Sequence, residues 1–339
     1  MIVTNSLSGG GAERSMNLVS NELFSRGWKV ALVPINIGPS DQVVPLCEVF
    51  PLSREWQGGA AHTLSSLLRL NKIVRSWKPD LVIIGCDLPE FFGSLLFGNW
   101  SLIAVAHTNH PWIGREKFGK IIRSVLAIRG VTWVAVSSHI SIWPKNEKPR
   151  TVLVNSIIQP HLSFQEFSGG KLKRLVFVGR LSPEKRPSIA LDVAAQSLRP
   201  IVLIGDGELR EALVHQANQI AINCEFVGQV LDPWSKTLSG DLLIIPSAHE
   251  GDGLVVLEAL QNAIPILLAD IPDFRRFGFP ERNYCKGIPE YLSAIEEYED
   301  HLGGLLIPEE ISRPLLDTRS ISNVGDAWER FLSVQEFNY

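Results

Sequence analysis

The sequence predicts an α/β protein built from two doubly wound domains, each a parallel β-sheet with helices on both faces. The first observation is a series of short apolar runs that are continuous, as expected for parallel strands buried on both faces. The second is that segments with helical spacing, such as 188–198 and 207–220, separate these runs. The third is that this alternation occurs twice, before and after the polar segment 155–171, which carries Pro160. Two such series predict two domains.

The predicted strands form two series of five. The first series is 29–35, 81–84, 102–106, 132–136 and 151–154. The second series is 174–179, 201–205, 224–228, 242–246 and 264–269. The initial stub 1–4 resembles a shortened first strand, and 323–337 has the pattern of a final helix.

A chain of 339 residues, 45% of them hydrophobic, is long enough to bury two ordinary cores. The polar segment, which ends in two glycines, is typical of a linker. We therefore expect a first domain over 1–158, a linker over 159–170, a second domain over 171–320, and a helical segment over 321–339 that packs back towards the first domain.

The charge is divided unevenly along the chain, whose net charge is −4. Residues 1–167 carry 16 Lys and Arg against 11 Asp and Glu, whereas 168–339 carry 16 against 25. A basic first half favours an anionic partner for that half. Nucleic acid is a weak candidate, because the sequence has neither a Lys/Arg-rich run nor an aromatic-basic repeat. The chain shows no signal-peptide pattern and no apolar run of about 20 residues, so we expect a cytoplasmic protein.

The first candidate site is the glycine cluster Gly9, Gly10 and Gly11, between the initial stub and a predicted helix. Glycines let the backbone approach a ligand closely, and the start of a helix offers free N–H groups to an anion. The alternative is a plain tight turn. A dinucleotide site would show G-x-G-x-x-G, but Arg14 stands where the third glycine is required. The pattern therefore disfavours a dehydrogenase.

The second candidate is His107, which directly follows the predicted strand 102–106. Ligands of open parallel sheets bind at the carboxyl ends of the strands. This position favours a functional histidine, although a structural one remains an equal alternative. His110 lies further into the loop and is the weaker candidate.

Two loops of the second series carry charged residues at strand ends. In 178–187, Arg180 and Lys185 are placed to neutralise a diphosphate, the alternative being an exposed basic turn. In 249–260, Glu250 precedes a glycine hinge and Glu258 falls inside an apolar helix. A buried carboxylate requires a partner or a ligand.

The same glycine hinge precedes a candidate anion site. Gly251 and Gly253 flank Asp252, and a helix is predicted to begin at Leu254. The amides of Leu254 and Val255 would then point at an anion.

Taken together, "GGGAER", the histidine, "GRLSPEKRP", "LIGDGELR", "CEFVGQV" and "EGDGLVVLEAL" resemble family 4 of the retaining glycosyltransferases, among the group 1 glycosyltransferases. The resemblance covers nearly the whole chain and implies the GT-B fold, with two Rossmann-like domains facing a central cleft. It implies a nucleotide-sugar donor held by the second domain and an acceptor held by the first. The family often has an aromatic residue at Asp252 and a glycine at Ala263, which leaves the donor sugar open.

The resemblance also implies roles for individual residues. Arg180 and Lys185 would clamp the donor diphosphate, Glu250 would contact the donor sugar, and Glu258 would bind the ribose hydroxyls. His107 would contact the transferred sugar. The donor-binding set would further include Gly10, Gly11, Gly253, Leu254 and Val255. The family needs no metal and no cofactor, the nucleotide-sugar being a substrate. Two alternatives stay open, a nucleotide-sugar epimerase of the same fold and an inactive binding module.

A basic amphipathic segment, 112–130, predicts contact with an anionic membrane surface. It carries Lys117, Lys120 and Arg123 with apolar residues at helical spacing, and 64–78 is a second such segment. The alternative is that both are ordinary helices packed on a sheet. Because many bacterial members of the family build surface polysaccharides on polyprenyl-diphosphate carriers, the resemblance implies a lipid-linked acceptor at the inner face of the plasma membrane.

Overall fold

The computed structural model describes residues 1–7, 10–37, 43–56, 58–157 and 170–334. The chain divides into two compact units, unit 1 over Met1–Ile157 with Thr318–Tyr339, and unit 2 over Ile158–Asp317. The predicted linker falls almost entirely outside the described residues, as does Gly9. Each unit contains a parallel sheet flanked by helices, so the predicted α/β class is confirmed.

Unit 1 contains, within its described residues, a seven-stranded parallel sheet in the order β3-β2-β1-β4-β5-β6-β7. Its strands are β1 (Ile2–Thr4), β2 (Ala31–Pro34), β3 (Glu48–Val49), β4 (Leu81–Gly85), β5 (Ser101–Ala106), β6 (Thr132–Ala135) and β7 (Thr151–Val152). Its helices are α1 (Gly11–Ser25), α2 (Ala60–Trp77), α3 (Asp87–Ser94), α4 (Glu116–Ile128) and α11 (Ile321–Ser333).

Two core clusters of unit 1 lie on the two faces of this sheet. One contains Met16 and Leu23 of α1 together with Trp328 of α11. The other contains side chains of α2, α3 and α4, among them Leu70 and Phe92. Both faces are therefore covered, which explains the continuous apolar runs of the strands.

The C-terminal helix α11 belongs to unit 1 although the chain reaches it after unit 2. Arg26 of α1 binds Asp326 at 2.6 Å and Glu329 at 3.0 Å, both on α11. Trp328 is 2% exposed and packs in the core beneath them. Helix α11 is thus part of the unit 1 core.

Unit 2 contains, in its described part, a six-stranded parallel sheet in the order β10-β9-β8-β11-β12-β13. Its strands are β8 (Arg174–Val178), β9 (Ile201–Ile204), β10 (Cys224–Gly228), β11 (Asp241–Ile245), β12 (Ile266–Ala269) and β13 (Tyr284–Cys285). Its helices are α5 (Pro187–Gln196), α6 (Arg210–Gln219), α7 (Leu254–Gln261), α8 (Pro272–Arg275), α9 (Ile288–Tyr298) and α10 (Glu309–Asp317).

The strand order reverses once in each sheet. In unit 1 the reversal lies between β1 and β4, and in unit 2 between β8 and β11. At such a point the loops leave the carboxyl ends of the strands in opposite directions and open a crevice, the usual ligand site of a doubly wound sheet. The candidate residues of both units follow these strands or their neighbours.

Candidate functional site

The carboxyl ends of β8 and β11 bring Lys185 and Glu250 into direct contact. Nζ of Lys185 lies 2.6 Å from Oε1 of Glu250, and the two side chains are 26% and 11% exposed. The same carboxylate oxygen accepts a hydrogen bond from the Ser247 hydroxyl at 2.9 Å. The backbone N–H of Glu250 donates to Oδ2 of Asp273 at 2.7 Å. Glu250 is therefore held through both its side chain and its backbone.

The loops that carry this pair are also joined through the backbone. Lys185 ends a short 3₁₀ helix over Pro183–Lys185, and the N–H of Ala248 donates to the carbonyl oxygen of Glu184 at 2.8 Å. Burial acts to raise the pKa of the Glu184 carboxyl, but hydrogen bonding and the charges of Arg180 and Lys185 outweigh it and lower that pKa. Arg180 and Lys185 are thus both within electrostatic reach of Glu184. The Arg180 side chain itself is exposed.

The glycine hinge before α7 requires a residue without a side chain. Gly253 has φ +64°, in the left-handed region, and a Cβ there would lie 3.2 Å from the Phe277 ring. The N–H groups of Val256 and Leu257 donate to the Gly253 carbonyl. The two preceding amides, of Leu254 and Val255, have no acceptor within the helix, as required of an anion site at a helix start.

Asp252, between the hinge glycines, points away from solvent. Its side chain is 3% exposed, and Arg276 donates to its carbonyl oxygen at 2.6 Å and to Oδ1 at 3.4 Å. This ion pair joins the glycine hinge to the residue that follows α8. The Asp252 carboxylate thus pairs with Arg276 instead of facing solvent.

Glu258 is 7% exposed on α7, and one of its partners is an indole. Nε1 of Trp234 donates to Oε2 of Glu258 at 3.0 Å. Trp234 lies between β10 and β11, in a second short 3₁₀ helix, Trp234–Lys236. The sequence did not single out Trp234, Ser247 or Asp273. A lone tryptophan in the polar stretch "LDPWSK" was the available signal for the first of them.

In unit 1, Gly10 and Gly11 lie where α1 starts. Gly10 is the residue before the helix, with extended backbone, and Gly11 is its first residue. The first turn also contains Glu13, which is 9% exposed and accepts a hydrogen bond from Asn5 at 3.4 Å. A carboxylate at this helix start already complements the positive end of the helix dipole.

His107 follows β5 directly, and its half-buried ring lies over Gly85, the last residue of β4. A Cβ at Gly85 would lie 3.0 Å from Nε2 of His107. Any side chain at Gly85 would therefore require the imidazole to shift by a few tenths of an ångström. The structure thus places His107 next to the reversal point of the unit 1 sheet, as predicted for a residue that meets a ligand.

The basic segment 112–130 forms helix α4, but Arg123 is not on its surface. Arg123 is 5% exposed and its guanidinium pairs with Glu90, Nε lying 2.9 Å from Oε2. Oε2 of Glu90 also accepts from the Trp112 indole at 2.9 Å. The prediction that Arg123 is a surface cation is therefore wrong, because a buried carboxylate from α3 requires its charge. Lys117 and Lys120 are exposed as predicted.

None of the helices in the described ranges has both the length and the apolar content needed to cross a bilayer. No group of three or more histidine, cysteine, aspartate or glutamate side chains among these residues is arranged as a metal site.

The fold is that of a GT-B glycosyltransferase. HepE of Anabaena, solved with UDP and glucose, superposes with a TM-score of 0.75 at 14% identity, over 98% of this chain and 99% of that one. WaaG, a glycosyltransferase involved in lipopolysaccharide biosynthesis, superposes with a TM-score of 0.70 at 12% identity, over 99% and 100%. The predicted GT-B fold is confirmed.

Residues 159–277, most of unit 2, match the family model described as glycosyl transferases group 1. An alpha-1,4-N-acetyl-D-galactosaminyltransferase of Campylobacter jejuni is 24% identical to this chain, over 75% of this chain and 74% of its own length. The O-antigen biosynthesis glycosyltransferase WbnH of Escherichia coli is 33% identical over 29% of each chain. The resemblance to group 1 glycosyltransferases is confirmed, whereas family 4 itself stays a prediction.

Proposed function

We propose that the chain is a retaining, metal-independent glycosyltransferase of family 4. It moves a sugar from a nucleotide-diphosphate sugar to a glycan acceptor carried on a lipid, in the assembly of a bacterial surface polysaccharide. A UDP-sugar is the favoured donor and a GDP-sugar the other candidate. The observation that carries the proposal is the Lys185–Glu250 pair at the reversal point of unit 2, inside the segment that matches the group 1 domain.

The donor diphosphate is assigned to the positive groups around this pair. Arg180 and Lys185 supply two cations, and the first turn of α7 supplies the amides of Leu254 and Val255. A diphosphate gains negative charge as its bond to the sugar breaks, so donors already in place stabilise the transition state. HepE, of the same fold, was solved with UDP and glucose, which supports a UDP-sugar.

The two glutamates act on different parts of the donor in this proposal. Glu250 is held by a cation and Glu258 by a neutral indole. A hydrolase with paired carboxylates requires an acid and a base that face each other across one sugar. The separate partners of Glu250 and Glu258 do not favour that arrangement. We assign Glu250 to the sugar, Glu258 to the ribose and His107 to the transferred sugar.

In a retaining transfer without a protein nucleophile, the acceptor attacks from the face that the diphosphate leaves. The residues of this chain then bind, orient and neutralise charge, and no cofactor takes part. The proposal therefore requires activity in the presence of a metal chelator and product with the same anomeric configuration as the donor.

The lipid-linked acceptor is supported by the relatives. The Campylobacter jejuni enzyme is named for a substrate glycan joined to undecaprenol through a diphosphate. WbnH is named for O-antigen biosynthesis and WaaG for lipopolysaccharide biosynthesis. A polyprenyl carrier resides in the membrane, so an enzyme acting on it works at a membrane surface.

A face of unit 1 has the chemistry for such a surface. Helices α2 and α4, with the turn after α3, cover one side of the sheet and expose large apolar side chains. These are Leu64 (58% exposed), Leu68 (62%), Phe97 (72%), Ile121 (61%) and Ile128 (87%). Lys72 on α2 and Lys117 and Lys120 on α4 are exposed on the same helices. Apolar side chains that enter a leaflet and lysines that meet anionic headgroups are the two parts of peripheral binding. We call this face of unit 1 the outer layer, and we propose that it contacts the inner face of the plasma membrane.

Binding and transfer assays test the proposal in sequence. UDP-, GDP-, ADP- and TDP-sugars are screened by thermal shift, since a ligand that binds the native state raises the melting temperature. The stabilising donor is then incubated with glycans on a polyprenyl diphosphate, with and without EDTA, and the product anomer is read by NMR. Transfer with retention supports the proposal. A changed sugar without an acceptor would show an epimerase, and donor binding without turnover on any acceptor would show a binding module.

A further inference from the structure

The segment 273–277, which follows β12 along the chain, holds the loop before α7 by its backbone. Oδ2 of Asp273 accepts a hydrogen bond from the backbone N–H of Glu250 at 2.7 Å. Nη2 of Arg276 donates to the backbone carbonyl of Asp252 at 2.6 Å. The loop that ends one strand of the sheet is therefore supported by side chains that follow the neighbouring strand, since β11 and β12 are paired.

Arg276 is itself held in place within this segment. Its Nε donates to the backbone carbonyl of Asp273 at 2.8 Å, and its guanidinium carbon lies 4.3 Å from the centroid of the Phe277 ring. The side chain is 19% exposed. A guanidinium is planar and directs its N–H groups in a fixed fork, so a bond to one carbonyl and a ring contact determine where the other N–H groups point.

The carbonyl that Arg276 binds belongs to the peptide plane between Asp252 and Gly253, the residue before α7. Because a peptide group is planar, fixing its oxygen also fixes its N–H. The Phe277 ring confines Gly253 from one side, 3.2 Å from where a Cβ would lie. The next two amides, of Leu254 and Val255, take their direction from this plane and from the left-handed backbone of Gly253.

We infer that Arg276 is a positioning residue for the donor diphosphate, which holds the Asp252 carbonyl so that the amides of Leu254 and Val255 donate to phosphate oxygens. Those amides bind the diphosphate in the proposed function, on which the inference rests. Arg276 thereby acts from outside α7, and the requirement is for side-chain N–H donors at this position.

Isothermal titration of the full chain tests the role of Arg276 with UDP or GDP, whichever the parent binds more tightly. The corresponding nucleoside, uridine or guanosine, is measured by competition against it. Arg276→Met keeps most of the aliphatic stem and removes the guanidinium. We expect this variant to bind the diphosphate roughly tenfold more weakly and the nucleoside nearly as the parent does. Arg276→Lys, which keeps a charged donor, should recover part of the loss.

Hydrogen exchange gives a second readout that needs no ligand. Backbone amides exchange when their segment opens locally, so a loop that has lost a support should exchange faster. In Arg276→Met, mass spectrometry should show faster exchange in peptides that cover 250–255 than in the parent. Peptides from α6 should exchange at the same rate in both proteins.

The neighbouring arginine supplies a matched control. Arg275 lies on α8 and pairs with Asp270 and Glu281, not with the glycine hinge. Arg275→Met should therefore leave the diphosphate affinity and the exchange of 250–255 unchanged. Thermal melting of each variant checks that the fold is retained.

The outcomes distinguish the role of Arg276 from the proposed function. Unchanged diphosphate affinity in Arg276→Met, equal weakening of diphosphate and nucleoside, unchanged exchange of 250–255, or the same losses in Arg275→Met would overturn the role of Arg276 and leave nucleotide binding established. Failure of the parent to bind both UDP and GDP would overturn the donor assignment and the role of Arg276 with it.

Discussion

Lys185 and Glu250 form an ion pair of 2.6 Å across 65 residues of sequence, and each belongs to a loop at the carboxyl end of a different strand. The strands, β8 and β11, are neighbours in the sheet, with Leu242 paired to Leu175. The pair therefore depends on the sheet register, and one substitution in it affects both loops.

Lys185→Met keeps the aliphatic stem and removes the cation. We expect UDP affinity to fall roughly 10- to 150-fold, the range for losing one charge-assisted contact of about 1.5–3 kcal/mol. Isothermal titration measures the change. Lys171→Met is the control, because Lys171 pairs with Asp300 at a surface where the side chains are 66% and 87% exposed. Parent-like affinity in the Lys185 variant would contradict the assignment of the diphosphate.

His107→Ala should leave nucleotide affinity nearly intact and lower turnover strongly. His107 lies in unit 1 beside Gly85, whereas the proposed nucleotide contacts lie in unit 2. Titration with UDP and steady-state transfer rates separate the two effects. His62→Ala, an exposed histidine on α2, is the control. Unchanged turnover on the true acceptor would return His107 to a structural role.

Glu90→Gln should destabilise unit 1 by roughly 3 kcal/mol or more, because it leaves the Arg123 guanidinium without its carboxylate in a buried site. Arg123 stays in contact with the Trp133 ring, with the guanidinium carbon 4.6 Å from the ring centroid, so the cation cannot escape to solvent without breaking this packing. Urea unfolding followed by tryptophan fluorescence measures the loss. The exposed pair of Glu309 with Arg313 supplies the control Glu309→Gln, which should change little.

The stability of unit 1 should depend on pH through the ionisation of Asp87. Burial, and then the nearby Glu90 charge, raise the pKa of the Asp87 carboxyl. Its two oxygens accept hydrogen bonds from the backbone N–H of Trp112, at 3.1 and 3.2 Å. The pKa of Asp87 in the folded protein therefore lies above its value in the unfolded chain. Its contribution to the free energy of unfolding is fully present below the ordinary pKa near 4, and it is lost as pH rises through the raised pKa.

Asp87→Asn cannot ionise, so the variant should not lose stability in this way as the pH rises. Its amide oxygen still accepts a hydrogen bond from the backbone N–H of Trp112. The free energy of unfolding of the variant, relative to the parent, should therefore increase between about pH 4 and pH 7. The exposed Asp300→Asn serves as the reference measurement at each pH. A relative stability of Asp87→Asn that stays constant over this range would show that the carboxyl is not affected by its burial.

Charge reversal on the outer layer tests membrane binding. The double variant Lys117→Glu/Lys120→Glu should reduce co-sedimentation with anionic vesicles, and added salt should do the same to the parent. Ile121→Ser, at a side chain 61% exposed, should reduce binding without loss of fold. Lys171→Glu/Lys173→Glu in unit 2 is the control. Equal recovery of the parent with neutral and anionic vesicles at low salt would contradict the membrane assignment, though not the transferase.

The predicted fold follows from the sequence because buried parallel strands leave a local signal, the continuous apolar run. The strands β3 and β13 were missed, since Glu48–Val49 and Tyr284–Cys285 are only two residues long and carry too little pattern. The final helix was predicted over 323–337 and runs over Ile321–Ser333, with 335–339 outside the described residues.

The candidate site was predictable where it depends on loops at strand ends, as for Lys185 and Glu250. It was not predictable where it depends on pairing between distant elements. Arg123 resembles any other cation of a basic helix until Glu90, 33 residues away, is placed beside it. Trp234 and Glu258 likewise meet only in the folded unit.

The position of α11 has a consequence for how the molecule is made. Residues 158–317 form unit 2, and unit 1 lacks Trp328 and its neighbours until the chain returns to it at Thr318. A ribosome therefore synthesises residues 158–317 of unit 2 before it reaches the helix α11 of unit 1. During translation the apolar surface of unit 1 that α11 covers stays exposed until those residues have been added.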